Sequence, residues 1–195
     1  MKIENTRNWV NKNVQRTVKL ADLLKKKSFF LYGARGIGKS YLIHQELLSP
    51  RSETVVLIDL LNSRVFTRLS VSSSHLEGIV KGNLGDQEVV AEKVWVVIGE
   101  IQKIPVLLDE VDRLIELYGW RFLLTCSSAR KLKRSGTNLL AGRASSIQLQ
   151  PLCFNEIKDE NFYIERRLRY GALPFVYFAE QPEHPDSAIE YENRM

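Results

Sequence analysis

Three short runs of unbroken apolar residues punctuate this chain: Phe29-Phe30-Leu31-Tyr32, Val55-Val56-Leu57-Ile58 and Val94-Trp95-Val96-Val97-Ile98. Runs of this length without polar alternation predict strands buried on both faces, the habit of a parallel sheet. Between them, apolar residues recur at three- and four-residue spacing, which predicts helices. Asn8 to Leu24 reads as a helical lead-in, through Trp9, Val10, Val14, Val18, Leu20 and Leu23. A strand over Ser28 to Tyr32 is followed by a helix from Ser40 to Leu48, stopped by Ser49-Pro50, and by a strand over Glu53 to Leu61. Asn62 to Asp86 is mixed and predicts a short helix or two with a mobile loop. After the strand Val94 to Ile98, Pro105 suits the first turn of a helix that runs to Tyr118 and stops at Gly119. Trp120 to Thr125 reads as a strand, Ala129 to Lys133 as a basic helical turn, Ser146 to Leu149 as a last strand, and Phe154 to Tyr170 as helical. Strands alternating with helices imply a three-layer α/β fold with a mainly parallel sheet, whose ligands sit at the carboxyl ends of the strands.

Composition narrows the class without naming a function. At 195 residues, 44% hydrophobic and 26% charged, the chain has ordinary globular values and room for one domain with a substantial core. Its longest apolar stretches fall far short of the ~20 residues that cross a bilayer. The N-terminal Met1-Lys2-Ile3-Glu4-Asn5 lacks the apolar centre of a secretory signal, and two cysteines, Cys126 and Cys153, suit a reducing cytoplasm. The cysteines and three scattered histidines have no metal-ligand spacing, and His44 reads as a surface residue. Net charge is +5, gathered at Lys25-Lys26-Lys27, Arg130-Lys131-Lys133-Arg134 and Arg166-Arg167-Arg169. Such clusters attract anionic partners, nucleic acid among them, and equally make ordinary solvated helix faces.

The chemistry lies directly after the first strand, where Gly33-Ala34-Arg35-Gly36-Ile37-Gly38-Lys39-Ser40 spells GxxxxGKS, followed by Tyr41. Glycines let the backbone curl until successive N–H groups face one concavity, and the helix opening near Lys39 adds the positive end of its dipole. The product is a cradle for polyphosphate. Lys39 would reach the β and γ phosphates, and the Ser40 hydroxyl would be a ligand of the bridging Mg²⁺.

A nucleotide hydrolase also needs a carboxylate at the end of a neighbouring strand. Asp59, Gly99-Glu100 and Asp109-Glu110 all qualify at first sight. Val106-Leu107-Leu108-Asp109-Glu110 imitates a strand ending in an acid pair. Pro105 begins that segment, though, and Leu107, Leu108, Val111, Leu114, Ile115 and Tyr118 share one helical face, so it reads as helix. Asp59 reads as a strand-end residue on the outer side of the sheet. Val94 to Ile98 then carries the acid, with Gly99 where an aspartate would be expected and Glu100 next.

From Phe29 to about Pro174 the chain resembles the AAA-type P-loop ATPases of bacteria and archaea that carry a further C-terminal domain. The matching pieces, in order, are LYGARGIGKS, VVIGEIQKIPVLLDEVDRLIE, LLTCSSARKL, NLLAGRA and PLCFNEI. The resemblance implies ATP and Mg²⁺ as cofactors, Glu100 as the residue that activates water, and a γ-phosphate sensor among Thr125, Ser127 and Ser128, with Ser127 preferred. Serines after a strand equally suit a helix N-cap. Arg143 becomes a candidate arginine finger, acting in its own subunit or a neighbour's, and equally suits an exposed loop. The pattern departs from the family twice: Gly99 replaces the expected aspartate, and Cys126 replaces a glycine before the serine pair. The first departure leaves two expectations, Mg²⁺-dependent ATP hydrolysis coupled to a conformational change, or a nucleotide-binding regulatory module with little hydrolysis. Restoring aspartate at position 99 is expected to raise turnover. Residues 1–27 read as the helical lead-in; by the same resemblance 28–153 form the ATPase domain, and 154–195 a short helical C-terminal extension, the remnant of a C-terminal domain otherwise missing from a truncated copy. An unnamed protein partner and a homo-oligomer are also expected.

Overall fold

The computed structural model describes residues 14–48, 53–85, 93–128, 132, 140–157 and 164–174. In chain order the elements are α1 (Leu20–Lys26), β1 (Ser28–Tyr32), α2 (Lys39–Leu47), β2 (Thr54–Asp59), α3 (Ser63–Val71), α4 (His75–Leu84), β3 (Val94–Gly99), α5 (Leu107–Tyr118), β4 (Arg121–Cys126), β5 (Ala144–Gln148) and α6 (Ile164–Tyr170). The described chain divides into two compact units. One holds residues 19–34 and 39–149; the other holds residues 1–18, 35–38 and 150–195.

The larger unit is built on five strands in the order β2-β3-β4-β1-β5, every pair parallel. The apolar runs explain why the middle strands are central. Val94 to Ile98 and Phe122 to Cys126 are buried throughout, whereas β2, at one edge, alternates buried Val56 and Ile58 with exposed Leu57. Strand register aligns the carboxyl ends: Asp59 lies opposite Gly99, Ile98 opposite Leu124, and Cys126 opposite Tyr32, which pairs in turn with Gln148. The residues that follow β1, β3 and β4 therefore emerge along one edge of the sheet.

The helices follow local rules. The Asn62 side chain accepts N–H bonds from Arg64 and Val65 at 3.0 and 3.4 Å, which starts α3, and Gly85 at φ +63° ends α4. These are the two short helices expected between Asn62 and Asp86; residues 86–92 lie outside the described segments. Helix α5 places Leu107, Leu108, Val111 and Leu114 in the core. It ends where Gly119 adopts φ +67° and donates its N–H to the Ile115 carbonyl at 2.9 Å. Asp109 and Glu110 are thus helical residues, as Pro105 and the apolar spacing foretold. Among the described residues no helix is long and apolar enough to cross a membrane.

Of the helical lead-in expected over Asn8 to Leu24, residues 8–13 lie outside the described segments. Helix α1 starts at Leu20, and residues 14–19 carry no helix; within the smaller unit the polar groups of Arg16 and Thr17 are used elsewhere. Glu156 Oε1 accepts the backbone N–H of Thr17 at 2.8 Å and its hydroxyl at 3.0 Å, while the buried Arg16 guanidinium faces Glu156 at 3.3 Å and donates to the Gln150 carbonyl. Burial alone would raise the Glu156 carboxyl, but the N–H groups of Thr17 and Cys153 and the charge of Arg16 hold it below the usual carboxylate range. The helical stretch expected over Phe154 to Tyr170 is a single 3-10 turn, Phe154–Glu156, and then α6, with residues 158–163 outside the described segments.

Candidate functional site

The phosphate loop leaves β1 where the Gly33 N–H donates to the Cys126 carbonyl of β4 at 3.2 Å. Gly36 and Gly38 take φ +74° and +94°, a backbone open to glycine at no steric cost. Lys39 opens α2 and is buried, with its ammonium donating to the carbonyls of Gly33 at 2.7 Å and Ala34 at 3.1 Å. Ser40 beside it is exposed, as are Ala34 and Arg35. The lysine is therefore held by the loop it would serve. An incoming phosphate could replace two neutral carbonyls as its acceptor, and a charged acceptor bonds an ammonium more strongly than a neutral one.

Two strands away, β3 ends at Gly99 and the chain turns sharply. Glu100 sits in the left-handed region at φ +57° and ψ +46°, a conformation that costs a non-glycine residue roughly 1–2 kcal/mol. The surroundings hold it there. Its N–H donates to the Thr125 hydroxyl of β4 at 3.1 Å, and the following 3-10 turn, Ile101–Lys103, is anchored by buried Ile101 and Ile104. Lys103 donates to the Leu60 carbonyl at 3.0 Å and lies over the Phe66 ring, tying the turn to the connection between β2 and α3. The carboxylate is fixed through Oε2, which accepts from the Ser127 hydroxyl at 2.9 Å and from the Gln102 amide. Gln102 Nε2 also donates to Ser127 Oγ at 2.9 Å, closing a ring of three side chains.

Of the sequence-predicted residues, then, Glu100, Thr125 and Ser127 come together, on the strand edge from which the Gly33–Ser40 loop also departs. Gln102 is the member that sequence reading missed. Its only signal was its place two residues after Glu100, and a short turn brings such residues to one side.

Arg143 lies elsewhere in the same unit. It follows a 3-10 turn, Leu140–Gly142, and its guanidinium binds Asp112 and, at 3.1 Å, Glu116, one turn apart on α5. Its ion-pair partners are therefore helix carboxylates. His44 is exposed, as expected of a surface residue, and the basic turn Arg130 to Arg134 lies outside the described residues apart from Leu132.

The two departures from the family pattern have physical consequences. A β-carbon at position 99 would meet Asp59 Oδ1 at 3.3 Å, so the carboxylate of the edge strand already borders the space that an aspartate on β3 would use. Asp59 holds that pose by accepting the Leu61 N–H at 2.9 Å. Cys126 is buried, which pushes its thiol up and keeps it neutral, and the Tyr32 phenol opposite it is raised by burial as well.

Among the described residues no three His, Cys, Asp or Glu side chains gather as a metal cage. Mg²⁺ fits the site on other terms, since it keeps several waters and leans on substrate phosphates with one or two protein ligands. The exposed Ser40 hydroxyl at the start of α2 would serve as one such ligand.

Known proteins agree with this architecture. The chain is similar to a Walker-type ATPase of Pyrococcus abyssi at 17% identity and a TM-score of 0.55, over 82% of this chain and 63% of that one. It is also similar to the Aeropyrum pernix ORC1 protein, solved in complex with DNA, at 15% identity and a TM-score of 0.50, over 78% of this chain and 50% of that one. At such identity the likeness is one of fold, and the chain spans less than two thirds of either protein's length. No curated protein matches the chain. The family model described as an AAA domain matches residues 25–158, well over half of the sequence. With that match spanning both the GxxxxGKS loop and the Glu100 turn, the chain belongs to the AAA-type P-loop ATPases.

Proposed function

We propose that this protein binds ATP with Mg²⁺ at the Gly33–Ser40 loop and hydrolyses it, coupling the nucleotide state to a change in conformation. The observation that carries this reading is the buried Lys39 ammonium, held on the loop carbonyls of Gly33 and Ala34, with an anchored Glu100 at the end of β3. On this reading the backbone N–H groups of Ala34 to Lys39 cradle the phosphates, Tyr41 flanks them, and Lys39 turns from the two carbonyls to the β and γ oxygens. Ser40 holds the metal, which when bound neutralises charge on those oxygens. Glu100 takes the proton from the attacking water, and Ser127 reads the γ-phosphate. Arg143, acting as a finger toward its own or a neighbouring nucleotide, would first have to leave Asp112 and Glu116.

Residues 28–153 would form the ATPase domain, with 1–27 as its helical lead-in and 154–195 as a helical extension. A cytoplasmic location, a protein partner and assembly into homo-oligomers belong to the same proposal. The test is calorimetry with Mg-ATP on the unchanged chain and on Lys39→Ala. Binding to the first, weakened on the order of 100-fold in the second at an unchanged fold, is expected; lysine contributes a full charge at the phosphates. Equal affinity in the two proteins would refute the site.

A further inference from the structure

The side-chain ring beside β3 contains one residue that the hydrolysis scheme does not use. The Gln102 side chain spends both of its described hydrogen bonds on the site, one to Glu100 and one to Ser127, while its own Oε1 is buried with no partner. An amide placed for stability alone would be expected to satisfy both ends. Reversing it would set the amide oxygen against the Glu100 carboxylate, so its nitrogen must face the ring.

The proton count then becomes decisive. Ser127 has a single hydroxyl hydrogen, and that hydrogen is committed to Glu100 Oε2. A serine that turns its hydroxyl to a γ-phosphate oxygen gives up the bond to Glu100. Of the two side chains that restrain the carboxylate, only Gln102 can stay. We propose that Gln102 is a positioning residue: it keeps Oε2 of Glu100 occupied once Ser127 has turned to the phosphate, so that Oε1 is presented to the attacking water. This rests on the ATP-hydrolysis reading above. It adds that the sensor and the base are linked through one amide, and that arrival of a γ-phosphate is felt at Glu100 as the loss of one of two hydrogen bonds.

Gln102→Met keeps the length and much of the shape of the side chain while removing both donors. Single-turnover hydrolysis of Mg-ATP should slow about 10- to 100-fold, the scale on which a misaligned catalytic group is felt. ATP affinity measured by calorimetry should stay within about threefold. In a Glu100→Gln background the same change should cost almost nothing further, since a positioning residue has no effect without the group it positions. A second readout needs no turnover: the side-chain NH₂ signals of Gln102, identified by their disappearance in Gln102→Met, should shift with a non-hydrolysable ATP analogue and much less with ADP. Should the methionine variant melt early, the Gln102 NH₂ signals of the unchanged chain carry the test, and no shift with the ATP analogue overturns the assignment.

Turnover within twofold of the unchanged chain, or an equal extra loss in the Glu100→Gln background, overturns the assignment of Gln102. Binding of Mg-ATP with no turnover in the unchanged chain does the same and leaves the nucleotide site standing. Absence of any nucleotide binding overturns the ATP reading as a whole.

Discussion

Two turns on one edge of the sheet solve the same problem by different means. After β1 the chain reverses through Gly36 and Gly38, whose positive φ values are free of steric cost, and every polar group of the cradle comes from eight consecutive residues. After β3 it reverses through Glu100, a residue that pays in strain for the same region of backbone space, and supports come from elsewhere: Thr125 from β4, Ser127 from just after it, and Leu60 from just after β2. The phosphate loop carries its geometry in its own sequence. The acid turn borrows its geometry from neighbouring strands. Strained backbone kept in place by surrounding contacts is a common mark of working residues, and it also makes this turn adjustable. A change at the β2 edge can shift Glu100 without touching the proposed cradle, whereas β4 supports both turns, because its Cys126 carbonyl accepts the Gly33 N–H.

The widest separation of the two turns should come from Glu100→Gln. The amide keeps the size of the carboxyl and loses its ability to accept a proton, so turnover should fall about 10²- to 10⁴-fold, the usual contribution of a positioned general base. ATP affinity should stay within a few-fold, because the cradle does not depend on Glu100. Rapid-quench hydrolysis beside calorimetry measures both. A turnover rate that survives the substitution would show that Asp59 or another acid serves the water.

A middle-sized effect is expected at Gly99. The family pattern suggests that aspartate there would improve turnover, but the structure sets Asp59 Oδ1 only 3.3 Å from the new β-carbon. Gly99→Asp alone should therefore cost about 1–3 kcal/mol of stability through overpacking, aggravated by two adjacent carboxylates. Thermal melting would detect it. Adding Asp59→Asn removes the like charge and should return part of the loss, and only in that double variant should any gain in Mg²⁺-dependent turnover emerge. An unchanged melting temperature in the single variant would mean that Asp59 yields freely.

What the sequence made legible follows the same division. The octapeptide could be read because its chemistry is contiguous, and α5 could be told from a strand because Pro105 and the apolar spacing act locally. Gln102 could not be assigned, since its meaning depends on Ser127, which is distant in sequence and is delivered by the pairing of β3 with β4. The crowding at Gly99 was hidden for the same reason: it needs the register that sets Asp59 opposite. Residues 14–19 misled because a long-range partner overrides local spacing. Thr17 gives its N–H to Glu156, 139 positions along the chain. Helices α3 and α4 gave a weak pattern because few of their residues are buried, Leu69 alone in α3 and Leu76 and Val80 in α4.

The smallest effect probes the helix that follows the acid turn. Glu77 on α4 accepts from Lys81, from the Tyr118 hydroxyl and from Arg113, and the last two lie on or at the end of α5. These partners, Lys81 foremost, hold its carboxyl down to about 2 from an ordinary 4.5. A carboxyl lowered in the folded state stabilises fully above the unfolded value and loses that contribution as pH falls, because the unfolded chain takes up its proton first. The melting temperature of the unchanged protein should therefore drop between pH 4.5 and about 2 more steeply than that of Glu77→Gln, and the two curves should converge near the acid end. Since α5 starts directly beyond Ile104 and Pro105, the substitution should reach turnover, through the seat of Glu100, before it reaches ATP affinity. Parallel melting curves for the two proteins across that range would mean that the α4–α5 contacts do not hold Glu77 in the way its geometry implies.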